Sequence, residues 1–328
     1  MAEITLAAAT LTRPWTAAVK DGTVGVGPAG AGRFRLEFEE IPVIIRAFRR
    51  MVRSLDFDVT EMAFTTYLCA KSVGKPFTAL PVFLTRGFHH GAITRSAARS
   101  AGSGPVTAGA VPDFFEGRSV GVNRGYTVTT GVWARGILAD QYGVDLDRVT
   151  WVPSGDDHVA EYRPPANVVP AGPDRDVPAM VAAGDLTAGV GFPSGTEGLA
   201  PLLADAEQAG YDALRDRGLY PVNHLLVVKD ERLARHPDLA PALFAAYAEA
   251  KQQYVTRLRA GAVTDPDPDD RMLARVMEIT GADPLPYGIG PNRAMIDQLV
   301  RHAVSQHILD KPFAAEELFP ESTHDLTA

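Results

Sequence analysis

Hydrophobic positions change period in a regular way along the chain. Residues 4–10 (ITLAAAT) form a short apolar run that reads as a buried strand. Residues 11–32 are a glycine-rich connection. Phe34, Leu36 and Phe38 then alternate with Arg35, Glu37 and Glu39, the period of a strand with one wet face. Val43, Ile44, Ala47, Phe48, Met51 and Val52 recur at helical spacing between Pro42 and Ser54. Residues 56–61 predict a short strand and turn, 65–74 a short helix closed by a glycine, and 77–84 and 91–94 two further strands. Strands alternating with helices predict an α/β fold with mostly parallel sheets.

Residues 95–112, rich in Ser, Ala, Gly and Pro, read as a surface loop or hinge margin. A second α/β series follows. It holds strands at 119–123, 149–153 and 186–192, a polar loop at 154–163 and an extended proline-rich stretch at 164–178. Helices are predicted at 177–183 and 199–217. An apolar strand at 225–228 precedes an amphipathic helix at 241–258, with Leu243, Phe244, Tyr247, Ala250 and Tyr254 on one face. After an acidic, proline-broken linker at 265–270, helices are expected at 271–280 and 291–308, and a poorly ordered tail from 318.

The chain has 328 residues, 46% hydrophobic and 22% charged, which suits two globular domains. A formal charge of -8 argues against nucleic acid or an anionic membrane as the main partner. One cysteine, Cys69, excludes an internal disulfide and a cysteine metal cluster. No apolar run of about 18 residues predicts a membrane span. Residues 1–15 lack a basic leader pattern, so a cytoplasmic protein is expected.

The segment 119–143, SVGVNRGYTVTTGVWARGILADQYG, carries the first candidate chemistry. It reads strand, tight loop, helix, with Gly143 at the helix end. Arg124, Tyr126, Thr127, Thr129 and Thr130 surround the helix start, where free N–H groups and the macrodipole favour an anion. The plainer reading is a capped helix with no ligand. Arg135, two turns further on, reads as half of a structural ion pair.

Several stretches together resemble the 4,5-dihydroxyphthalate decarboxylase family. They are EMAFTTYL (61–68), LPVFLTRGFHHGAI (80–93), VWARGIL (132–138), WVPSG (151–155), YPVNHLLVVKDE (220–231) and PYGIGPNR (286–293). The loop after Val122 departs from that family's pattern, with Asn123-Arg124-Gly125-Tyr126 in place of a proline and an acidic residue. The resemblance implies a two-lobed, type 2 periplasmic-binding-protein-like fold with a ligand cleft between the lobes. The lobes would comprise residues 1–95 plus 221–328 and residues 96–220. It implies loss of CO₂ from a hydroxylated aromatic acid, with a small-molecule aromatic carboxylate as partner. The helices expected within 271–308 exceed what a minimal two-lobed binder needs, so they would either cover the cleft or join a homo-oligomer. The competing readings are a solute-binding protein and another lyase on the same scaffold.

Direct loss of CO₂ would leave a poor aryl carbanion. An ortho or para hydroxyl opens an easier route. A base takes the phenolic proton, an acid protonates the ring carbon, and CO₂ leaves from the dearomatised intermediate. No organic cofactor is needed for this. The acid and base candidates are His89, His90, His224 and Glu61. On a strand, at most one of His89 and His90 would face a ligand. The alternative for both is a solvent-facing pair, for His224 a hydrogen-bonded structural histidine, and for Glu61 a cap or hinge salt bridge. Thr10, Arg13, Thr65, Thr66, Arg86 and His158 complete the expected ligand contacts, with the residues around Arg124 as the anion clamp. Asp156, His158 and Glu161 could be read as a metal cluster, but a solvated loop accounts for them, and no metal is expected.

Overall fold

The apolar run that opens the chain is strand β1 (Ile4–Ala9) in a computed structural model that describes residues 3–27, 33–100 and 106–328. It pairs in parallel with β2 (Phe34–Phe38) and β3 (Val59–Ala63). Beyond β3 lies β10 (Val222–Lys229), antiparallel to β3 and to β4 (Phe77–Arg86). The sheet order is β2-β1-β3-β10-β4. Helices α1 (Ala17–Lys20), α2 (Ile45–Ser54), α3 (Phe64–Ser72), α9 (Asp230–Arg235), α10 (Leu239–Arg259) and α11 (Pro268–Thr280) belong to the same unit. The helical spacing seen in residues 43–52 is realised in α2, which buries Ala47, Phe48, Met51 and Val52.

A second unit is built on the same plan. Strands β6 (Ser119–Val122), β7 (Thr150–Pro153) and β8 (Ala188–Val190) are parallel. Strand β5 (Ile93–Ser96) is antiparallel to β8 and to β9 (Leu199–Pro201), so the order is β7-β6-β8-β5-β9. Its helices are α4 (Ala97–Ser100), α5 (Val111–Phe115), α6 (Thr129–Tyr142), α7 (Val177–Ala183) and α8 (Ala206–Arg217). Close packing of α7 on β6 needs Gly121, where a Cβ would meet Val177 at 2.7 Å. Gly143 ends α6 at φ 72°, the left-handed conformation that glycine adopts without strain.

The antiparallel member of the first sheet is β10, the strand on which the chain returns to that unit, and that of the second is β5, the first strand of its unit. The units are Met1–Arg86, Val222–Asp297 and Phe313–Ala328, and Gly87–Pro221 with Gln298–Pro312. Their limits differ from the expected 1–95 plus 221–328 and 96–220. Residues 87–95 join the second unit because β5 pairs with β8 and β9. Residues 298–312 join it because Gln306, just past α12 (Ile289–Ser305), bonds to Arg135 and to the Val132 carbonyl.

Other expectations are corrected. The helix predicted at 199–217 is instead a three-residue edge strand followed by α8, since Pro201 cannot donate within a helix interior. The stretch 95–112 begins with the end of β5 and α4, while residues 101–105 lie outside the described residues. The tail from 318 is packed, not loose. Tyr67 Oη donates to the Leu318 carbonyl, Phe319 meets Phe83 edge to face at 6.2 Å, and Ala328 pairs with the Tyr287 backbone. No described helix is long and apolar enough to cross a membrane.

Candidate active site

Strand β3 is covered on both faces, and all five of its residues are buried. A carboxylate at its centre therefore has no water and must be satisfied by protein. Glu61 is fully buried and accepts five hydrogen bonds, the longest from Thr85 Oγ1 to Oε1 at 3.5 Å. Oε2 takes the Leu11 amide at 3.1 Å and Arg13 Nη1 at 2.9 Å. Oε1 takes Arg13 Nη2 at 2.8 Å and His224 Nδ1 at 2.6 Å. Burial alone would raise the Glu61 carboxyl. The Arg13 charge and the bonds from His224 and Arg13 outweigh it and hold the carboxyl far below the usual range.

Register explains the meeting. His224 pairs with Ala63 on β3 and with Thr85 on β4, and Leu226 pairs with Glu61. Directly paired residues share a face, so His224 and Glu61 are diagonal neighbours on one face of the sheet. Arg13 arrives from the loop after β1, the parallel neighbour of β3.

An ionised carboxylate can only accept, so Nδ1 of His224 carries the proton toward Glu61. Nε2 is then the ring nitrogen outside this network, and the His224 side chain is 20% exposed. Phe48 meets the imidazole edge to face at 5.0 Å and helps set its plane. The unit thus presents an imidazole whose tautomer is fixed at one nitrogen, as a proton-transfer group requires.

The remaining expected contacts of this unit are buried. Thr65 and Thr66 occupy the first turn of α3. Arg86 donates to the Pro286 carbonyl and to Asn292, so its guanidinium is tied to its own unit. Thr10 sits at the end of β1, 3% exposed. Sequence reasoning missed Tyr247 and Tyr287. Tyr247 falls on the apolar face of α10, where its spacing predicts only core packing, and both rings are fully buried. The charges of Glu61 and Arg13 act on the Tyr247 phenol, and those of Arg13 and Arg86 on Tyr287.

In the second unit the start of α6 is occupied by the protein's own carboxylate. Asp157 Oδ1 accepts from both the Thr127 amide and the Thr127 hydroxyl at 2.7 Å. The bend at Gly125 leaves room for this, since a Cβ there would lie 2.5 Å from Asp157 Oδ1. Arg124 is exposed, has φ 64°, and donates its amide to Ser154 Oγ. Tyr126 and Thr129 are buried, and Thr130 is half-buried. Among the described residues Arg135 has no ion-pair partner. It is fully buried, bonds to Gln306 Oε1 and the Tyr126 carbonyl, and stacks on the Tyr126 ring at 3.9 Å.

The histidine pair does not lie on a strand. His90 opens a 3₁₀ turn (His90–Ala92), with His89 as its cap, and both are buried. His90 Nε2 faces Gln141 Oε1 at 3.1 Å, and burial pushes its pKa down. A neutral imidazole held by an amide is a poor proton donor. His158 is buried at 5% exposure. Among the described residues, no group of three or more His, Cys, Asp or Glu side chains is arranged to hold a metal ion.

Comparison with known proteins bears on the whole chain. No family model matches it. A 4,5-dihydroxyphthalate decarboxylase from Comamonas testosteroni is 27% identical over 289 residues, 83% of this chain and 84% of the relative. A second, from Pseudomonas putida, is 29% identical over 182 residues, 51% of this chain and 67% of its own length. The chain is thus similar in sequence to two curated 4,5-dihydroxyphthalate decarboxylases.

Among solved structures, the periplasmic aliphatic sulphonate-binding protein SsuA from Escherichia coli superposes with a TM-score of 0.53 at 9% identity, covering 98% of this chain and 93% of that one. The desulfurization enzyme DSZB gives 0.52 at 15% identity, covering 97% of each. At such identities the likeness shows the fold alone. The chain has the type 2 periplasmic-binding-protein-like fold, with two mixed α/β sheets.

Proposed function

We propose that this chain decarboxylates a hydroxylated aromatic acid of the 4,5-dihydroxyphthalate type, with His224 as the proton donor. The observation that carries the reading is the imidazole held at Nδ1 by the buried, ionised Glu61. Relatedness to two decarboxylases supplies the substrate class.

His224 Nε2, in its imidazolium form, delivers a proton to the ring carbon that bears the carboxylate. The para hydroxyl oxygen supplies the electron pair that stabilises the dearomatised intermediate. The C–C bond to the carboxylate then breaks, its electron pair restores the ring, and CO₂ leaves. Solvent returns a proton to His224, so one proton is taken up for each CO₂ released. Glu61 touches no reacting atom. It positions the ring and stabilises its charged form, while Arg13 keeps Glu61 ionised.

The test is incubation with 4,5-dihydroxyphthalate while following CO₂ and the aromatic absorbance. Turnover that falls by about 10²-fold or more in His224→Gln, with the ligand still bound, supports the reading. Binding without turnover by the native chain would identify a solute-binding protein instead, a role that the SsuA-like scaffold also accommodates.

A further inference from the structure

We infer that Tyr247 and Tyr287, with Thr10 beside them, form the subsite that holds the hydroxyl groups of an aromatic diol, an inference that rests on the decarboxylase reading. The hydroxyl oxygens of all three residues are buried, and none makes a hydrogen bond of normal geometry among the described residues, although those of Tyr247 and Thr10 lie near enough to act on each other. Native interiors pair nearly all such groups, and each one left dry costs about 1–3 kcal/mol.

The three oxygens share one neighbourhood. Thr10 lies beside the Tyr247 hydroxyl. Tyr287 lies within electrostatic reach of Tyr247 and Arg13, and Tyr247 within reach of Glu61 and Arg13. A phenylalanine ring would fill either tyrosine's space without the penalty, so the hydroxyls mark a place for a polar guest. Burial raises both phenols, which therefore stay protonated and can donate as well as accept.

Charge selects the guest. The Arg13 cation is matched by Glu61 across two hydrogen bonds, and Arg86, the other cation that acts on Tyr287, spends its guanidinium on the Pro286 carbonyl and Asn292, so neither is turned toward a carboxylate guest. Neutral donors and acceptors beside a compensated ion pair suit neutral hydroxyl groups. Two tyrosines and a threonine offer enough of both for a vicinal pair. Held there, the hydroxyl oxygen that pushes electrons into the ring would gain a hydrogen bond as charge develops on it.

The experiment compares Tyr247→Phe and Tyr287→Phe with the native chain. Kd is measured by calorimetry for 3,4-dihydroxybenzoate and for benzoate, and Tm without ligand. Each variant should weaken 3,4-dihydroxybenzoate by about 10-fold, the worth of one hydrogen bond, and benzoate by less than about 2-fold. Tm should stay level or rise, because an unpaired buried group has been removed. Equal loss for both ligands, no loss for either, or a fall in Tm would overturn the inference, the last by assigning the hydroxyls to structural water. A native chain that binds the diol acid but releases no CO₂ from 4,5-dihydroxyphthalate overturns the decarboxylase reading alone. A native chain that binds neither acid overturns both.

Discussion

Replacing Glu61 with glutamine tests the site at its most buried point. The carboxylate accepts two hydrogen bonds at Oε2 and three at Oε1, the third a long one from Thr85. A glutamine oxygen in the Oε2 position keeps the Leu11 amide and Arg13 Nη1. Its NH₂ group then faces Arg13 Nη2 and the Nδ1 proton of His224, donor against donor. The imidazole relieves the clash by moving its proton to Nε2, which leaves no charged form braced by a carboxylate. Loss of one member of a buried ion pair costs about 3–5 kcal/mol. Expressed in the transition state, that is roughly 10²–10⁴ in kcat.

The assay is CO₂ release under saturating substrate, with Kd for 3,4-dihydroxybenzoate measured alongside. A positioning role predicts a large loss in kcat and a small one in Kd. The ¹⁵N shifts of His224 should report the tautomer change, which a purely structural role for Glu61 would not produce. A folded Glu61→Gln chain with kcat within about threefold of native, or with Nδ1 still protonated, would refute the reasoning.

Two further outcomes concern the second unit. Burial pushes the His302 pKa down to about 4, with Asp140 opposing and Arg301 adding to the shift. The unfolded chain therefore binds a proton that the folded chain refuses between about pH 6.5 and 4. Stability should fall as pH drops through that window, by at most about 3 kcal/mol, and His302→Gln should flatten the slope in urea titrations at pH 7 and 5. An unchanged slope would contradict this. Gly136 lies against the same ring, where a Cβ would sit 2.5 Å from His302 Nε2. Gly136→Ala should lower Tm despite its better helix propensity, since overpacking costs about 1–3 kcal/mol. A Tm at or above native would show that the ring can move aside.

Much of the fold is legible in local patterns. Alternation at 34–39, the apolar runs at 4–10 and 225–228, and the glycine at 143 each act over a few residues, and each lies in or closes the element it predicts. The misses share a cause. Strand β9 is three residues long and exists because β5 offers an edge to pair with. The tail is held by Tyr67, Phe83 and Tyr287, far away in the chain. The expected ion pair of Arg135 is replaced by a glutamine 171 residues on.

The candidate site divides the same way. The strand–helix alternation determined the α/β class, and the residue types read together with the family resemblance put Glu61, Arg13 and His224 in a longer set of candidates. Only the tertiary structure decided that these three belong together. Glu61 meets Arg13 across 48 residues and His224 across 163. A side chain's type and local period are written in its own segment. Its partner is chosen by which strands lie side by side, and that choice is made by burial of whole faces rather than by any short stretch of sequence.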